Sequence, residues 1–290
     1  MNTLYRCDIV VEEDAVEYMW GLLALHISYG WEEESLATGE TRFRVHCESR
    51  DFIEDLATKI NNSQPMANID ICQIPNEDWT KAWREFFTPI ICGSRFIVLP
   101  PWLENSTDLE GRKPVLIEPK SAFGTGHHNT TALCLKVISD LLDSERIVNG
   151  MEFLDLGTGS GILGLGCCQY GLYGIGTDID QLAVDNALEN KILNKIVPYD
   201  STQKKGFDAL LGSVEIVSER KFDLVLANIL AKPLKELAPD IVKLCKKNVC
   251  LVLSGLLVVQ AKDVEAAYMA EGLPPARMVV DGDWAALVWA

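Results

Sequence analysis

The sequence lacks the features that define membrane, exported and disulfide-rich proteins. It has no run of 18 apolar residues, and its longest apolar stretch, NVCLVLSGLLVV, is interrupted by polar residues and a glycine, so no transmembrane helix is predicted. No basic segment followed by an apolar one opens the chain, so no secretory signal is predicted. The nine cysteines contain no C-x-x-C pair, which indicates reduced thiols in a cytoplasmic protein.

Basic residues are also scarce. The chain has 26 Lys and Arg against 42 Asp and Glu, a formal net charge of −16. This balance argues against nonspecific binding to nucleic acid, which needs a basic surface. It permits a basic protein as partner, although acidity also serves solubility alone. We expect a monomer with no nucleic-acid or membrane partner.

What is present falls into two patterns. Residues 1–74 predict the order β-α-β-β-α-β of a small ferredoxin-like domain, with 14 acidic and 5 basic residues and a net charge of −9. Residues 75–112 are predicted to be a linker and connecting segment. Residues 113–290 alternate apolar strands with helices, which predicts a mostly parallel, Rossmann-like sheet covered on both faces. A hairpin around Gly282 closes it.

A glycine-rich turn, DLGTGSG, follows the first strand of the larger domain and places a cofactor at the carboxyl ends of the strands. Gly159–Gly164 matches the dinucleotide motif G-x-G-x-x-G, with Asp178 about twenty residues further on. Three features favour S-adenosylmethionine instead. Asp155 would repel a pyrophosphate, and can bind N–H groups of the turn or the cofactor's ammonium group. The dinucleotide match begins two residues late, and the closing hairpin resembles the end of a class I methyltransferase sheet. A packing turn without ligand is the third alternative.

Two further strand ends carry polar side chains. Asp178 can accept both ribose hydroxyls of an adenosine, whereas the competing Asp180 is predicted to cap the next helix. Asn228 ends the fourth strand, where methyltransferases of amino nitrogens often carry Asn or Asp followed by Pro-Pro-Tyr. This chain has Ile-Leu-Ala after Asn228, and a helix cap is the alternative role.

A second glycine loop lies in EPKSAFGTGHHNTTALCL, just before the first strand of the sheet. We expect it to fold over the cofactor as a lid, with the Phe123 ring packing on the cofactor. Adjacent His127 and His128 point apart, and no cysteine or carboxylate cluster is near them. No metal site is therefore predicted.

The motifs AFGTGHHNTTALCL, FLDLGTGSGILGLG, GTDIDQLAVDNALEN and FDLVLANILAKPLKELAP together resemble the bacterial ribosomal protein L11 methyltransferases, over nearly the whole chain. The resemblance implies an enzyme that uses S-adenosylmethionine to methylate lysine ε-amines and an N-terminal α-amine of a basic large-subunit ribosomal protein. It implies that the small domain recognises that protein and that the segment Trp79–Trp83 links the domains. The chain departs from the family at Glu118-Pro119-Lys120, usually Asp-Pro-Gly, and at Asn129, often proline.

The resemblance also implies a set of cofactor contacts. They are Phe123, Thr131, Gly157, Asp178 and Asn228, to which the surrounding motifs add Thr125, Gly126, Asp155 and Gly159 as candidates. The implied reaction is an in-line displacement that needs no strong base, so Asn228 is the predicted catalytic residue, acting by positioning the amine. A nicotinamide-dependent oxidoreductase and a non-catalytic module that binds a ribosomal protein remain the alternatives.

Overall fold

The structure is a computed structural model that describes residues 4–27, 31–36, 38–47, 49–74, 87–119 and 129–290. The chain divides into two compact units, Met1–Phe87 and Thr88–Ala290. Each is described by itself. Within the described residues, no helix is long and apolar enough to cross a membrane. All nine cysteines are free thiols.

The first unit is a four-stranded antiparallel sheet with two helices. Its elements are β1 (Leu4–Val11), α1 (Val16–His26), β2 (Glu32–Ser35), β3 (Thr41–Cys47), α2 (Arg50–Ser63) and β4 (Asn68–Ile74). The strands lie in the order β2-β3-β1-β4. This is the predicted ferredoxin-like arrangement, and the prediction is confirmed.

The alternation of residues along β1 and β3 gives this sheet one apolar face. Phe43 and Val45 are fully buried, whereas Arg42 and Arg44, which alternate with them along the strand, point to the other face. The helices supply the rest of the core, and α2 begins at an N-cap, Ser49, whose hydroxyl accepts the N–H of Phe52 at 3.2 Å. The core residues are Cys7, Ile9, Val11, Met19, Leu23, Ile27, Phe43, Val45, Ile53, Leu56, Ala57 and Ile60.

The opposite face of this sheet is charged. The Asp8 carboxylate accepts from Arg6 at 2.9 Å and from Arg44 at 3.2 Å. Asp8, Asp70 and Cys72 lie close enough together to hold a metal ion. Two guanidinium groups, those of Arg6 and Arg44, already pair with the Asp8 carboxylate.

The second unit begins with a small sheet, β5 (Ile90–Cys92), β6 (Phe96–Leu99) and β7 (Lys113–Leu116). β6 pairs antiparallel with β5 and parallel with β7. The Phe96 ring also packs edge-on against Tyr170 at 5.3 Å between ring centroids. The sequence placed residues 75–112 in a linker and connecting segment, but 88–112 belong to the larger unit, because strand pairing and buried packing hold them there. Residues 75–86 lie outside the described part of the chain.

The large sheet has seven strands. They are β8 (Glu152–Leu156), β9 (Tyr173–Asp178), β10 (Phe207–Leu211), β11 (Phe222–Asn228), β12 (Cys245–Leu257), β13 (Arg277–Asp281) and β14 (Trp284–Trp289). Their order is β10-β9-β8-β11-β12-β14-β13. The first five are parallel, and β14 runs antiparallel between β12 and β13. The predicted Rossmann-like sheet with a closing hairpin is confirmed.

Helices cover both faces of this sheet. They are α3 (Asn129–Asp143), α4 (Ile162–Gln169), α5 (Gln181–Leu193), α6 (Ala231–Glu236), α7 (Ala238–Lys243) and α8 (Val258–Ala270). Neighbouring strand residues belong to opposite apolar clusters: Phe153 packs with Phe207 on one face and Leu154 with Val225 on the other. Both faces are therefore filled, and the strand ends are where the sheet is open to a ligand.

Candidate cofactor and acceptor site

A cavity of about 690 Å³ lies at the carboxyl ends of β8, β9, β11 and β12. Two of its walls matter for the chemistry, one from the glycine turn and β9, the other from the segment after β11. The residues that line these two walls include Gly157, Gly159, Asp178, Asn228, Leu230 and Gly255. This is the location that the sequence predicted for the cofactor.

The three glycines of the turn after β8 each adopt a left-handed backbone. Gly157, Gly159 and Gly161 have φ angles of 70°, 54° and 80°, where a side chain is disfavoured. A side chain also has no room at Gly157, because its Cβ would overlap the Cγ2 atom of Ile229. The alternating glycines are thus required by backbone conformation and by the close approach of β11.

Asp155 lies behind this turn. Its side chain is buried, and Oδ2 accepts the Thr158 hydroxyl at 2.7 Å and the Gly164 N–H at 3.2 Å. Burial raises the pKa of this carboxyl to about 6, and the nearby Asp178 carboxylate adds to the shift. Of the two roles that the sequence left open, the structure shows the one towards the turn. Asp155 is not among the described residues that line the cavity.

Asp178 ends β9 at the cavity wall. One carboxylate oxygen accepts the N–H of Gly159 at 2.9 Å, and the other accepts the N–H of Asp180 at 3.1 Å. Each oxygen keeps one lone pair for a ligand hydroxyl. Asp180 itself caps α5 by accepting the Leu182 N–H at 2.9 Å, as predicted.

Asn228 ends β11 and lines the same cavity. Its Nδ2 donates to the Thr131 hydroxyl at 3.4 Å. Its Oδ1 is buried and receives no hydrogen bond from the residues that the structure describes. A buried acceptor without a donor is costly, and this one belongs to a residue of the cavity wall.

The direct cofactor contact predicted for Thr131 stays a prediction. The Thr131 side chain is buried at 1% exposure, and the neighbouring Thr130 lines the cavity. Phe123, Thr125 and Gly126 lie outside the described residues, as do His127 and His128. The predicted lid contact is therefore carried forward as a prediction.

Sequence reasoning missed three residues of the site. Gly255 has a φ of 83°, and a Cβ there would overlap the backbone of Ile229. Ile229 is therefore enclosed between two glycines from different strands, and Leu230 follows it into the cavity wall. The one available signal was the glycine in LSGLL, directly after a buried strand.

The strand order, the glycine turn and the strand-end carboxylate together define a class I methyltransferase that uses S-adenosylmethionine. Comparison with known proteins gives the family. The family model described as ribosomal protein L11 methyltransferase (PrmA) matches residues 10–290.

Individual relatives agree with that match. A ribosomal protein L11 methyltransferase of Myxococcus xanthus is 36% identical over 247 residues, covering 85% of this chain and 80% of the relative. One from Chloroflexus aurantiacus is 33% identical over 260 residues, covering 83% and 77%. A crystal structure of ribosomal protein L11 methylase from Lactobacillus delbrueckii subsp. bulgaricus aligns with a TM-score of 0.59 and 26% identity, over 70% of this chain and 97% of that one.

The chain belongs to the ribosomal protein L11 methyltransferase family. It is an enzyme, and its cofactor is S-adenosylmethionine. The nicotinamide-dependent alternative is set aside with this assignment.

Proposed function

We propose that this chain transfers methyl groups from S-adenosylmethionine to lysine ε-amines and the N-terminal α-amine of ribosomal protein L11, as a monomer in the cytoplasm. The observation that carries the proposal is Asn228 Oδ1, a buried acceptor beside the glycine turn that no described residue satisfies. An amine N–H fits this atom. The family membership of the chain supports the same substrate.

The cofactor-binding part of the proposal rests on the β8 and β9 ends. Asp178 accepts the two ribose hydroxyls through the lone pairs that its backbone contacts leave free. Gly157 and Gly159 present bare backbone at the cavity, so a ligand can approach the chain closely there. Asp155 keeps the turn in shape from behind through Thr158.

When bound, the cofactor supplies an electrophilic methyl group on a positively charged sulfur. An ammonium acceptor must first lose a proton to solvent, and the apolar side chains of Ile229 and Leu230 favour the neutral amine. Asn228 Oδ1 then accepts one amine N–H and orients the nitrogen lone pair. With the cofactor bound, the nitrogen oriented in this way would receive the methyl group, and the methylated amine would release its extra proton to water. Orientation is the main catalytic contribution.

Thr131 is a positioning residue in this scheme. Its hydroxyl accepts from Asn228 Nδ2, which fixes the nitrogen end of the amide away from the cavity and leaves the oxygen end for the amine. A flipped amide would present two donors to the acceptor nitrogen and would oppose the reaction.

Recognition of the protein substrate is assigned to the small N-terminal unit. Residues 1–74 carry a net charge of −9, which attracts a basic partner and speeds its encounter at low salt. The larger unit holds the cofactor residues. The two tasks are therefore separable in the proposal.

The test is methyl transfer to purified ribosomal protein L11, followed by mass spectrometry of the modified residues. The full chain is expected to methylate lysines and the N-terminus, whereas a fragment that starts at Thr88 is expected to bind S-adenosylmethionine and lose most activity on L11. Starting at Thr88 keeps β5 and β6 with β7. If a folded fragment methylates L11 as fast as the full chain across a salt series, the recognition role of the N-terminal unit is contradicted. If the full chain transfers no methyl group to L11, the proposed function is contradicted.

A further inference from the structure

The two walls of the cavity differ in chemistry. The wall from β8, β9 and the β10 turn carries carboxylates and a hydroxyl, at Asp178, Asp180 and Ser213. The opposite wall, from the segment after β11, α6 and the start of β14, is built mainly from Ile229, Leu230, Pro233, Leu237 and Trp284. Asn228, directly before this segment, supplies a side-chain oxygen, and Thr130 on α3 adds a hydroxyl to the cavity lining. A ligand that spans the cavity therefore meets polar groups on one side and apolar groups on the other.

The apolar wall is held in place by its neighbours. Ile229 is enclosed by Gly157 from the turn after β8 and by Gly255 from β12, each so close that a Cβ would overlap it. Asn228 is tied to Thr131 on α3. The segment that carries Leu230 is therefore fixed relative to the predicted cofactor turn, which is the condition for a side chain that selects a substrate.

Leu230 itself is not explained by stability. It is the N-cap of α6, with φ −62° and ψ 150°, and it makes no side-chain cap hydrogen bond. Ser, Thr, Asp or Asn is favoured at this position. Its side chain is also 73% exposed, so it contributes little to the core. A leucine that neither caps a helix nor fills a core, and that lines a cavity, fits a role in binding.

We propose that Leu230 is the acceptor-side specificity residue of this enzyme, contacting the aliphatic stem of the lysine whose amine reaches Asn228. The proposal rests on the amine-methylating function proposed above. A lysine side chain has four methylene groups behind its amine. They match the apolar wall, and the amine matches the Asn228 amide next to it. A planar base or a carboxylate has no such stem and leaves this wall without a partner.

The test compares two leucines of equal exposure. Leu230→Ala and Leu182→Ala each shorten a side chain that is 73% exposed, but only the first lies in the cavity wall. With full-length enzyme and ribosomal protein L11, Leu230→Ala is expected to raise KM for lysine methylation about tenfold, the scale of one lost apolar contact in a substrate pocket. Cofactor Kd is expected to stay within twofold, and Leu182→Ala is expected to match the wild type.

Leu230→Asn separates binding from folding. Asparagine restores the missing cap, so Tm is expected to rise while KM for L11 rises as in Leu230→Ala. Leu230→Met retains apolar reach and is expected to restore KM. If Leu230→Ala and Leu182→Ala give the same KM, the specificity role is overturned while the proposed function stands. If the wild-type enzyme transfers no methyl group to L11, both proposals are overturned.

Discussion

The two edges of the seven-stranded sheet treat polar groups in opposite ways. At the amino edge, the Glu152 carboxylate accepts from Tyr199 at 2.6 Å and from Arg220, whose guanidinium also lies 5.0 Å from the centre of the Tyr199 ring. Lys246 donates to Asp223 at 2.8 Å beside it. These groups are all paired with each other.

At the carboxyl edge the polar groups are left incomplete. Asn228 Oδ1 has no donor among the described residues, and Asp178 uses half of its acceptor capacity. Asp155 accepts two hydrogen bonds but is a carboxyl buried away from water. Leu230 leaves its helix without a side-chain cap. The difference indicates that the amino edge supplies stability, whereas the carboxyl edge keeps groups that stability alone does not favour, as expected of a binding site.

The largest expected effect concerns the buried carboxyl of Asp155. Its folded pKa of about 6 lies above the ordinary aspartate value of 3.8, so the folded state holds the proton more tightly. That contribution to stability is complete below about pH 4 and is lost as the pH rises through 6, a loss of about 3 kcal/mol. Asp155→Asn has no such titration. The free energy of unfolding of wild type minus variant, measured in urea between pH 4 and pH 7, is expected to fall by about that amount.

A pH-independent difference would show that the pKa of Asp155 is the same in the folded and unfolded states, and would contradict the shift attributed to burial. Asp240→Asn, at an exposed side chain that is paired with Lys243, is the matched control and is expected to give a much smaller change with pH.

The next effect concerns the rate. Asn228→Ala removes the oxygen proposed to orient the amine, and kcat on ribosomal protein L11 is expected to fall about a hundredfold, the scale of lost orientation. Asn248→Ala, at an exposed position near the amino end of β12, is expected to leave kcat unchanged. The two variants are compared by their single-turnover rates at saturating cofactor. Equal rates for the two variants would contradict the role of the β11 strand end.

A smaller effect is expected on cofactor affinity. Asp178→Ala removes the proposed acceptor of the ribose hydroxyls and the bond to the Gly159 N–H, and binding of S-adenosylmethionine is expected to weaken by about 1–3 kcal/mol. Asp180→Ala should lose helix stability but little affinity, because its carboxylate caps α5. Calorimetric titration of both variants distinguishes them, and unchanged affinity in a folded Asp178→Ala would remove the assignment.

The smallest effect belongs to the amino edge. Arg220→Met keeps much of the apolar contact with Tyr199 and Phe222 but removes the partner of Glu152. The free energy of unfolding is expected to fall by about 1 kcal/mol, since the guanidinium is partly exposed. Methyl transfer is expected to stay at the wild-type rate. A large loss of activity with little loss of stability would contradict the assignment of stability to the amino edge and of binding to the carboxyl edge.

Most of the fold could be predicted from local sequence patterns. The alternation in β3, the apolar runs of β8 and β11 and the turn at Gly282 each follow from periods of side-chain burial or from turn chemistry, so the element order could be predicted. The strand ends at Asp178 and Asn228 followed from topology, because parallel strands end at one edge.

What the sequence could not supply is contact between distant segments. The pairing of β6 with β7 joins residues separated by a long loop, and it moved residues 88–112 out of the predicted linker. The enclosure of Ile229 by Gly157 and Gly255 depends on three strand ends meeting. The burial of Asp155 and Thr131 similarly depends on packing that has no local signature.

The position of β14 has a consequence for how the enzyme is made. This strand lies between β12 and β13, with Val252 opposite Val288 and Arg277 opposite the same valine on the other side. A nascent chain can pair β8 to β12 as it emerges, but β13 has no place beside them until β14 has been synthesised. Nearly the whole catalytic unit must therefore leave the ribosome before the seven-stranded sheet of the enzyme can be completed. The ribosome is also the particle to which the proposed substrate belongs.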